Sequence, residues 1–488
     1  MEADPKSTPC PPGNTRSLPT HVPEIENLKE YVAGGFHPVH LGDTFDGGRY
    51  LIVHKLGYGG FATVWLAKDS TEKTCVALKI LKARHSEKYH LKSPPLLRTL
   101  LSGSSEHLSG SAELRRFFFQ GPNGRHLCLV LPLLGPSVSS LSSYLQVRLQ
   151  PWLARKAAYQ VTQAVAALHR QGLCHGGEYL SNPVSRLPDH DISNVDDWVN
   201  QFFPPPTTYM RESLSGEPAG PEAPRYFVKA LDFLSSPFVN LVSDNIKLID
   251  FDASFRTSAP PNAILGINRQ CMAPELAVGR LGSPASDVWA LACSIFCMRS
   301  GLGVFQHFKF NSPGALMRIL IATLGEDDLP TEWRDTLWND RGLPTDDPQK
   351  GQRLEKLESR WSLRDLVFLV WDRPEGDVAK TGRMREPRER HEPFPPHFDN
   401  LVWKPAAVKI DGVCLSDVHD DDTNELLNAM PRISDEEAEL LYDLLSKIFV
   451  YDAAKRPTAE EMLQHPWFHF DGRLDSMDDL SESFTGLL

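Results

Sequence analysis

Tyr50-Leu-Ile-Val-His-Lys-Leu-Gly57-Tyr-Gly-Gly-Phe-Ala-Thr-Val64-Trp-Leu-Ala67, followed by Thr74-Cys-Val-Ala-Leu-Lys79-Ile-Leu81, reads as three strands. A glycine-rich turn joins the first two. Glycines in such a turn let the backbone bend sharply and come close to phosphate groups. Any tight hairpin uses glycine, so the turn alone says little. It opens a strand rather than a helix, which excludes a dinucleotide fingerprint. Lys79 ends an apolar strand. Alone it is a solvated strand residue; behind that loop it is placed to hold nucleotide phosphates.

Working outward, Phe117-Phe-Phe119 and Leu127-Cys-Leu-Val-Leu131 flank Gly121-Pro-Asn-Gly124, a further hairpin signal. The first 135 or so residues are therefore strand-rich. Helices follow. Leu153, Ala157, Val161, Val165 and Leu168 recur at helical spacing and give one apolar face. Asp287 to Met298 is apolar on nearly all sides, as a central helix should be, and Glu436 to Val450 is amphipathic. Residues 1–28 are rich in Pro, Ser and Thr and read as a tail. Residues 184–245 and 372–400 read as loop-like inserts, and 471–488 as an acidic tail.

Composition narrows the function classes. Of 488 residues, 41% are hydrophobic and 23% charged, so wholesale disorder is excluded. The net charge of −12 disfavours direct nucleic-acid binding and suits basic partners. The 8 cysteines form no C-x-x-C pair; Cys293 and Cys297 read as helical thiols, and this usage suits a reducing compartment. No apolar run is long enough for a membrane span, and no secretory signal opens the chain.

Weaker signals complete the pattern. Ile249-Asp250-Phe-Asp252 follows the strand-like Asn245–Ile249, and a carboxylate just past a buried strand can hold Mg²⁺. Met272-Ala-Pro-Glu275 and Asp287-Val-Trp289 come next, then Lys455-Arg456-Pro-Thr458 and His465-Pro-Trp-Phe468. Each is weak alone; their shared order is not.

Over residues 48–470 the chain resembles the eukaryotic protein kinases, and within them the SR-protein kinases, especially fungal members. The branch features are Tyr31-Val-Ala-Gly-Gly-Phe-His-Pro-Val-His-Leu-Gly-Asp43, Gly121-Pro-Asn-Gly-Arg-His-Leu-Cys-Leu-Val130, Leu134-Gly-Pro-Ser-Val138, His175-Gly176 and the long insert after it. The resemblance implies an α+β bilobal fold. Residues 29–135 would form a small β-rich N-lobe and 136–470 a large, mainly helical C-lobe carrying both inserts. It implies ATP and Mg²⁺ as cofactors, and transfer of phosphate to Ser/Thr of basic, Arg-Ser-rich proteins. A monomer, a link to mRNA processing, and cytoplasmic and nuclear residence are expected with it.

By the same resemblance, Leu56, Val64 and Ala77 would enclose the adenine. Gly57, Tyr58, Gly59 and Gly60 would close over the phosphates, which Lys79 would contact. Leu131 would be the gatekeeper, with Pro132 and Leu134 as the hinge. Asn182 and Asp250 would hold the metal. Glu275, Arg456 and Asp287 would be structural.

Several positions depart from the family. The catalytic loop runs His175-Gly-Gly177-Glu-Tyr-Leu-Ser-Asn182, with Gly177 where the proton-accepting Asp belongs. Phosphotransfer should therefore be impaired, which makes a pseudokinase scaffold the alternative. Glu178 is adjacent, but the next side chain along a loop generally points elsewhere. Asp189 and Asn194 repeat the Asp-to-Asn offset inside the insert and read as a decoy. The glutamate expected to pair with Lys79 aligns with Leu96, behind Pro94-Pro95; Glu87 and Glu106 are the nearest acids. Asp252 replaces a glycine that would allow φ > 0. The Ala315–Leu324 helix lacks the acids that related kinases use to dock Arg-rich substrates.

Overall fold

The computed structural model describes residues 25–92, 113–138, 148–177, 184–185, 194–210, 220–233, 236–260, 269–305, 312–354, 361–373, 400–403, 409–410, 413–414 and 428–471. The chain divides into two compact units. The first is built on a six-stranded antiparallel sheet in the order β1-β2-β3-β4-β6-β5: Thr44–Phe45, Tyr50–Tyr58, Ala62–Asp69, Thr74–Leu81, then, at the far edge, β6 Gly124–Pro132 and β5 Arg115–Gly121. Alternation sets its faces. Val76, Leu78 and Ile80 enter a core with Tyr50, Ile52, Trp65, Cys128 and Val130, while Ala62, Leu81, Leu127 and Leu129 cluster with one another. The expected hairpin at 121–124 closes β5 on β6, with Gly121 opposite Gly124. An Ala83–Lys92 helix follows β4 directly.

Two sequence expectations need correcting here. The N-terminal tail does not run to residue 28. Ile25 packs with Tyr31, Phe36, Ala223 and Phe227, and Glu26 is buried. The Glu26 carboxylate accepts hydrogen bonds from the Tyr31 hydroxyl and the fully buried Lys55 ammonium. Burial, and then Glu26, raises the Tyr31 pKa; burial lowers that of Lys55 despite its partner.

The insert read as part of the large lobe belongs, over 187–239, to the sheet-bearing unit. Its Val195–Phe202 helix begins at Asn194, whose side chain accepts from the backbone N–H groups of Asp196 and Asp197. That gives the decoy asparagine a structural role as a cap. Trp198 and Phe203 pack with Phe238. The hairpin of Thr208–Met210 with Tyr226–Val228 sends Val228 into the sheet's core. The Tyr226 hydroxyl accepts the Leu41 N–H at 3.0 Å, and the Leu231 N–H reaches the Lys55 carbonyl at 2.9 Å. Asn123 Nδ2, at the 121–124 turn, donates to the carbonyls of Phe36 and Glu222, each at 2.6 Å.

The second unit is mainly helical. The Pro151–Arg170 helix, Pro284–Ser300 and Asp435–Ile448 form its centre, each within three residues of the expected limits. Proline at the first helical position and a Ser283 capping box start Pro284–Ser300; Gly301, left-handed at φ 72°, ends it. Cys293 and Cys297 lie on this helix, Cys293 buried. Trp289 stacks on Phe305 and meets Phe449 edge-on. The strand expected at Asn245–Ile249 shrinks to Ile246–Lys247, paired with Val184–Ser185. The 372–400 insert, except for residues 372, 373 and 400, and the 472–488 tail lie outside the described residues. No helix among the described residues is long and apolar enough to cross a membrane.

Candidate functional site

In the first unit, antiparallel register lines up the predicted residues. Val64, Lys79 and Leu129 are cross-strand neighbours on β3, β4 and β6; Leu66, Ala77 and Leu131 form the next row. Period-two alternation puts Ala77 and Lys79 on one face of β4, opposite the Val76–Leu78–Ile80 core face. Lys79 is half-buried and Ala77 is 7% exposed. Leu56 lies in β2 beside a register shift between Lys55 and Gly57. Pro132 ends β6 opposite Val76, and Leu134 is the last residue before the chain enters the second unit.

The turn itself is informative. The Gly59 N–H bonds to the Ala62 carbonyl at 2.8 Å, and Tyr58 and Phe61 stand exposed. Among the described residues, a Cβ built on Gly57, Gly59 or Gly60 meets nothing within 4 Å, and none of the three has a left-handed φ. Glycine there leaves the backbone open to close approach.

Helix geometry settles one partner question. Glu87 lies on the Ala83–Lys92 helix and pairs with Arg125, with both side chains 56% exposed. It is engaged on the solvent side and does not serve as an acidic partner for Lys79. Leu96 and Glu106 lie outside the described residues.

In the second unit, Asp287 organises the loop that carries position 177. Its Oδ2 accepts the His175 N–H at 2.7 Å, and its Oδ1 accepts the Gly176 N–H at 2.9 Å. His169 Nε2 stands 3.1 Å from Oδ2. Burial alone would raise the carboxyl pKa, but the His169 bond, the neighbouring His169 and His175, and the Gly176 N–H hold it below the usual carboxylate range. His175, buried, places Nε2 3.0 Å from the Ile249 carbonyl and meets the Phe251 ring edge-on at 5.2 Å. Gly176 is obligatory: its φ is 67°, and a Cβ would sit 2.5 Å from the Ala253 carbonyl oxygen. Gly177 donates its N–H to His175 Nδ1 at 3.3 Å and offers no side chain. Asp287 and His175 hold the backbone of residues 175–177, and residues 178–183 lie outside the described residues.

Asp250 sits directly after the Ile249 carbonyl held by His175. It adopts φ 67°, ψ 58°, unusual for a residue with a side chain, and starts the Phe251–Ala253 turn. This corrects the expectation for Asp252: positive φ falls on Asp250, and Asp252 is not among the left-handed residues. Asp46 and Lys73 share the left-handed conformation in turns, and aspartate is among the side chains that tolerate it best. Asn182, Glu178 and Asp189 lie outside the described residues.

Glu275 and Arg456 form a buried bidentate pair, Nη1–Oε1 2.8 Å and Nη2–Oε2 2.9 Å, with Ser286 Oγ donating to Oε1 at 2.7 Å. Pro313–Leu324 is a helix that carries Ala315, Ala322 and Arg318 and no acid. Sequence reasoning missed the Lys55–Glu26–Tyr31 cluster, because its members are distant in sequence and match no motif.

The protein kinase domain family matches residues 238–468. The "Protein kinase dsk1" of Schizosaccharomyces pombe is 37% identical over 156 residues, 31% of this chain and 29% of that protein. The "Serine/threonine-protein kinase SRPK" of Physarum polycephalum is 25% identical over 389 residues, 76% of this chain and 88% of that protein. The human "SRSF protein kinase 3" is 35% identical over 180 residues, 36% of this chain and 29% of that protein. The matched region thus spans under a third of two of these relatives and most of the third.

Proposed function

We propose that this chain, whose residues 238–468 match the protein kinase domain family and which is similar to SR-protein kinases, binds MgATP and transfers the γ-phosphate to Ser/Thr of Arg-Ser-rich proteins, slowly. The observation that carries this reading is the set of three turn glycines that no packing among the described residues requires, next to a β4 face bearing Ala77 and Lys79. Lys79 would take the α- and β-phosphates; Asp250 and Asn182 would hold Mg²⁺, which neutralises the charge that develops on the phosphoryl group. The strongly acidic chain suits a basic substrate. Residence in cytoplasm and nucleus is part of the same proposal.

The slowness follows from Gly177. A general base contributes about 10²–10⁴ in rate. Positioning and electrostatics, the larger part of phosphoryl transfer, need only Lys79, Asn182, Asp250 and the metal. A second reading, a scaffold that binds nucleotide or partners without transfer, is favoured by Gly177, which offers no side chain.

The test has two steps. MgATP binding is measured by thermal shift. Phosphate transfer to an Arg-Ser peptide is then measured for the wild type and Gly177→Asp. Slow transfer in the wild type that rises about 10²-fold or more in the variant supports the kinase reading. Transfer in the variant alone supports the scaffold. Equal, fast transfer in both removes the argument from Gly177, and no binding removes both nucleotide claims.

A further inference from the structure

Among the described residues, four guanidinium groups crowd the C-terminal end of the Pro284–Ser300 helix, and two carboxylates pair with two of them. Arg299, 2% exposed, grips Glu437 through Nε–Oε1 and Nη2–Oε2 bonds of 2.9 Å each, and Asp372 Oδ2 at 2.9 Å. Arg155 Nη1 stands 2.9 Å from Glu437 Oε1. The other Asp372 oxygen accepts the Arg373 N–H at 2.8 Å. Both acids are fully engaged before the remaining two arginines are considered.

Arg148 enters on the short strand Arg148–Leu149, paired with Val402–Trp403. It is 3% exposed, and its guanidinium lies 4.9 Å from the centre of the Trp371 ring. Its Nη2 is buried without a hydrogen-bond partner, and so is Trp371 Nε1. Arg432 approaches the same ring at 5.7 Å and uses Nη1 on the Leu369 carbonyl at 2.7 Å. Gly301 leaves Arg148 its room: a Cβ there would stand 3.1 Å from Arg148 Nε. Burial first, then the nearby Arg299 and Arg432, lowers the Arg148 pKa to about 10, so it stays charged at neutral pH.

Arginine and indole only donate hydrogen bonds. An unpaired guanidinium out of water costs several kcal/mol, and stacking on an indole returns only part of that. Among the described residues, Arg148 Nη2 and Trp371 Nε1 have no acceptor, and a negatively charged one would suit both. Arg432 keeps part of its surface in solvent, so the cluster is not sealed. None of its residues is among those proposed to hold nucleotide or metal.

We propose that Arg148, with Arg432 and Trp371, forms an oxyanion site that takes a phosphate group. The planar fork of arginine fits two phosphate oxygens at once, and the site supplies charge that neither Glu437 nor Asp372 neutralises. The phosphate is either free in solution or carried on a phosphorylated side chain of a peptide.

The experiment is thermal unfolding of the full chain, with inorganic phosphate titrated against chloride at matched ionic strength. Arg148→Met keeps the side-chain stem and removes the charge; Lys79→Met disables the proposed nucleotide site. Phosphate should raise the unfolding temperature of the wild type and Lys79→Met saturably and equally. Arg148→Met should lose the response and, without phosphate, unfold at or above the wild-type temperature. The proposal fails if the wild type does not respond, if Arg148→Met still responds, or if that variant is less stable without phosphate. If it does not fold, Arg432→Gln decides: a tenfold weaker phosphate response is expected, and an unchanged one overturns the site. A serine peptide with and without a phosphoryl group identifies the source. Half-saturation by the phosphopeptide at least tenfold below free phosphate assigns the site to a peptide-borne group, and equal values assign it to the free anion. A response limited to the lysine-dependent site would leave the kinase reading standing and remove this one.

Discussion

Arg456 and Arg148 are both buried in the helical unit, and each lays its guanidinium on a tryptophan, 4.8 Å from the centre of Trp289 and 4.9 Å from that of Trp371. Arg456 is saturated: Glu275 takes it bidentately, and the carbonyls of Val450 and Ala285 take further N–H groups. Arg148 has a buried Nη2 with nothing to donate to. The contrast separates a cation that holds a lobe together from one held ready for a partner. His37, in the sheet-bearing unit, shows a third arrangement. It sits against Phe45, Phe119 and His126, and burial, then His126 and His40, lowers its pKa to about 3. Histidine can shed its proton when buried; arginine cannot.

The largest effect should come from breaking the saturated pair. Arg456→Met leaves Glu275 charged and buried, and should cost about 3–5 kcal/mol of unfolding free energy in a denaturant titration. A loss below about 1 kcal/mol would erase the distinction drawn between the two arginines.

Acid should act next most strongly, through the neutral histidine. An unfolded His37 titrates near ~6.5, above its folded value. Its contribution is therefore complete above pH ~6.5 and is lost as pH falls from there towards 3, by up to about 1.4 kcal/mol per pH unit. His54 and His126, also lowered chiefly by burial, act in the same direction. Stability measured against pH for His37→Leu should show a slope shallower by about one proton in that window; an unchanged slope would mean that His37 is protonated in the fold.

The smallest effect should be at the unpaired arginine. Arg148→Met in phosphate-free buffer should change stability by no more than about 1 kcal/mol, and upward if at all, because a buried charge without a partner is removed. Calorimetry of the variant beside Arg456→Met makes the comparison direct, and a loss like that of Arg456→Met would make the two residues equivalent.

Much of both units was legible because the signals are local. The alternation in Thr74–Leu81, the turn at 121–124 and the apolar face of 151–170 depend on neighbours a few residues away. The Glu275–Arg456 pair was legible only through family resemblance, since 181 positions separate its members. The insert was misassigned because its loop-like composition says nothing about which surface accepts it. Tyr226, Phe227 and Val228 bind residues near the N-terminus, and no periodicity encodes a contact across 185 positions.

By itself the sequence determined the strands, the central helices, the glycine turn and the absence of a side chain at position 177, since these depend on residue type and short-range spacing. Tertiary structure decided that Glu87 turns to Arg125, that Asp250 rather than Asp252 takes the left-handed conformation, and that Arg148 buries an Nη2 with no partner among the described residues. The reason is physical. Partner choice among buried charges depends on which groups packing brings within hydrogen-bond distance, and that is a property of the folded chain as a whole.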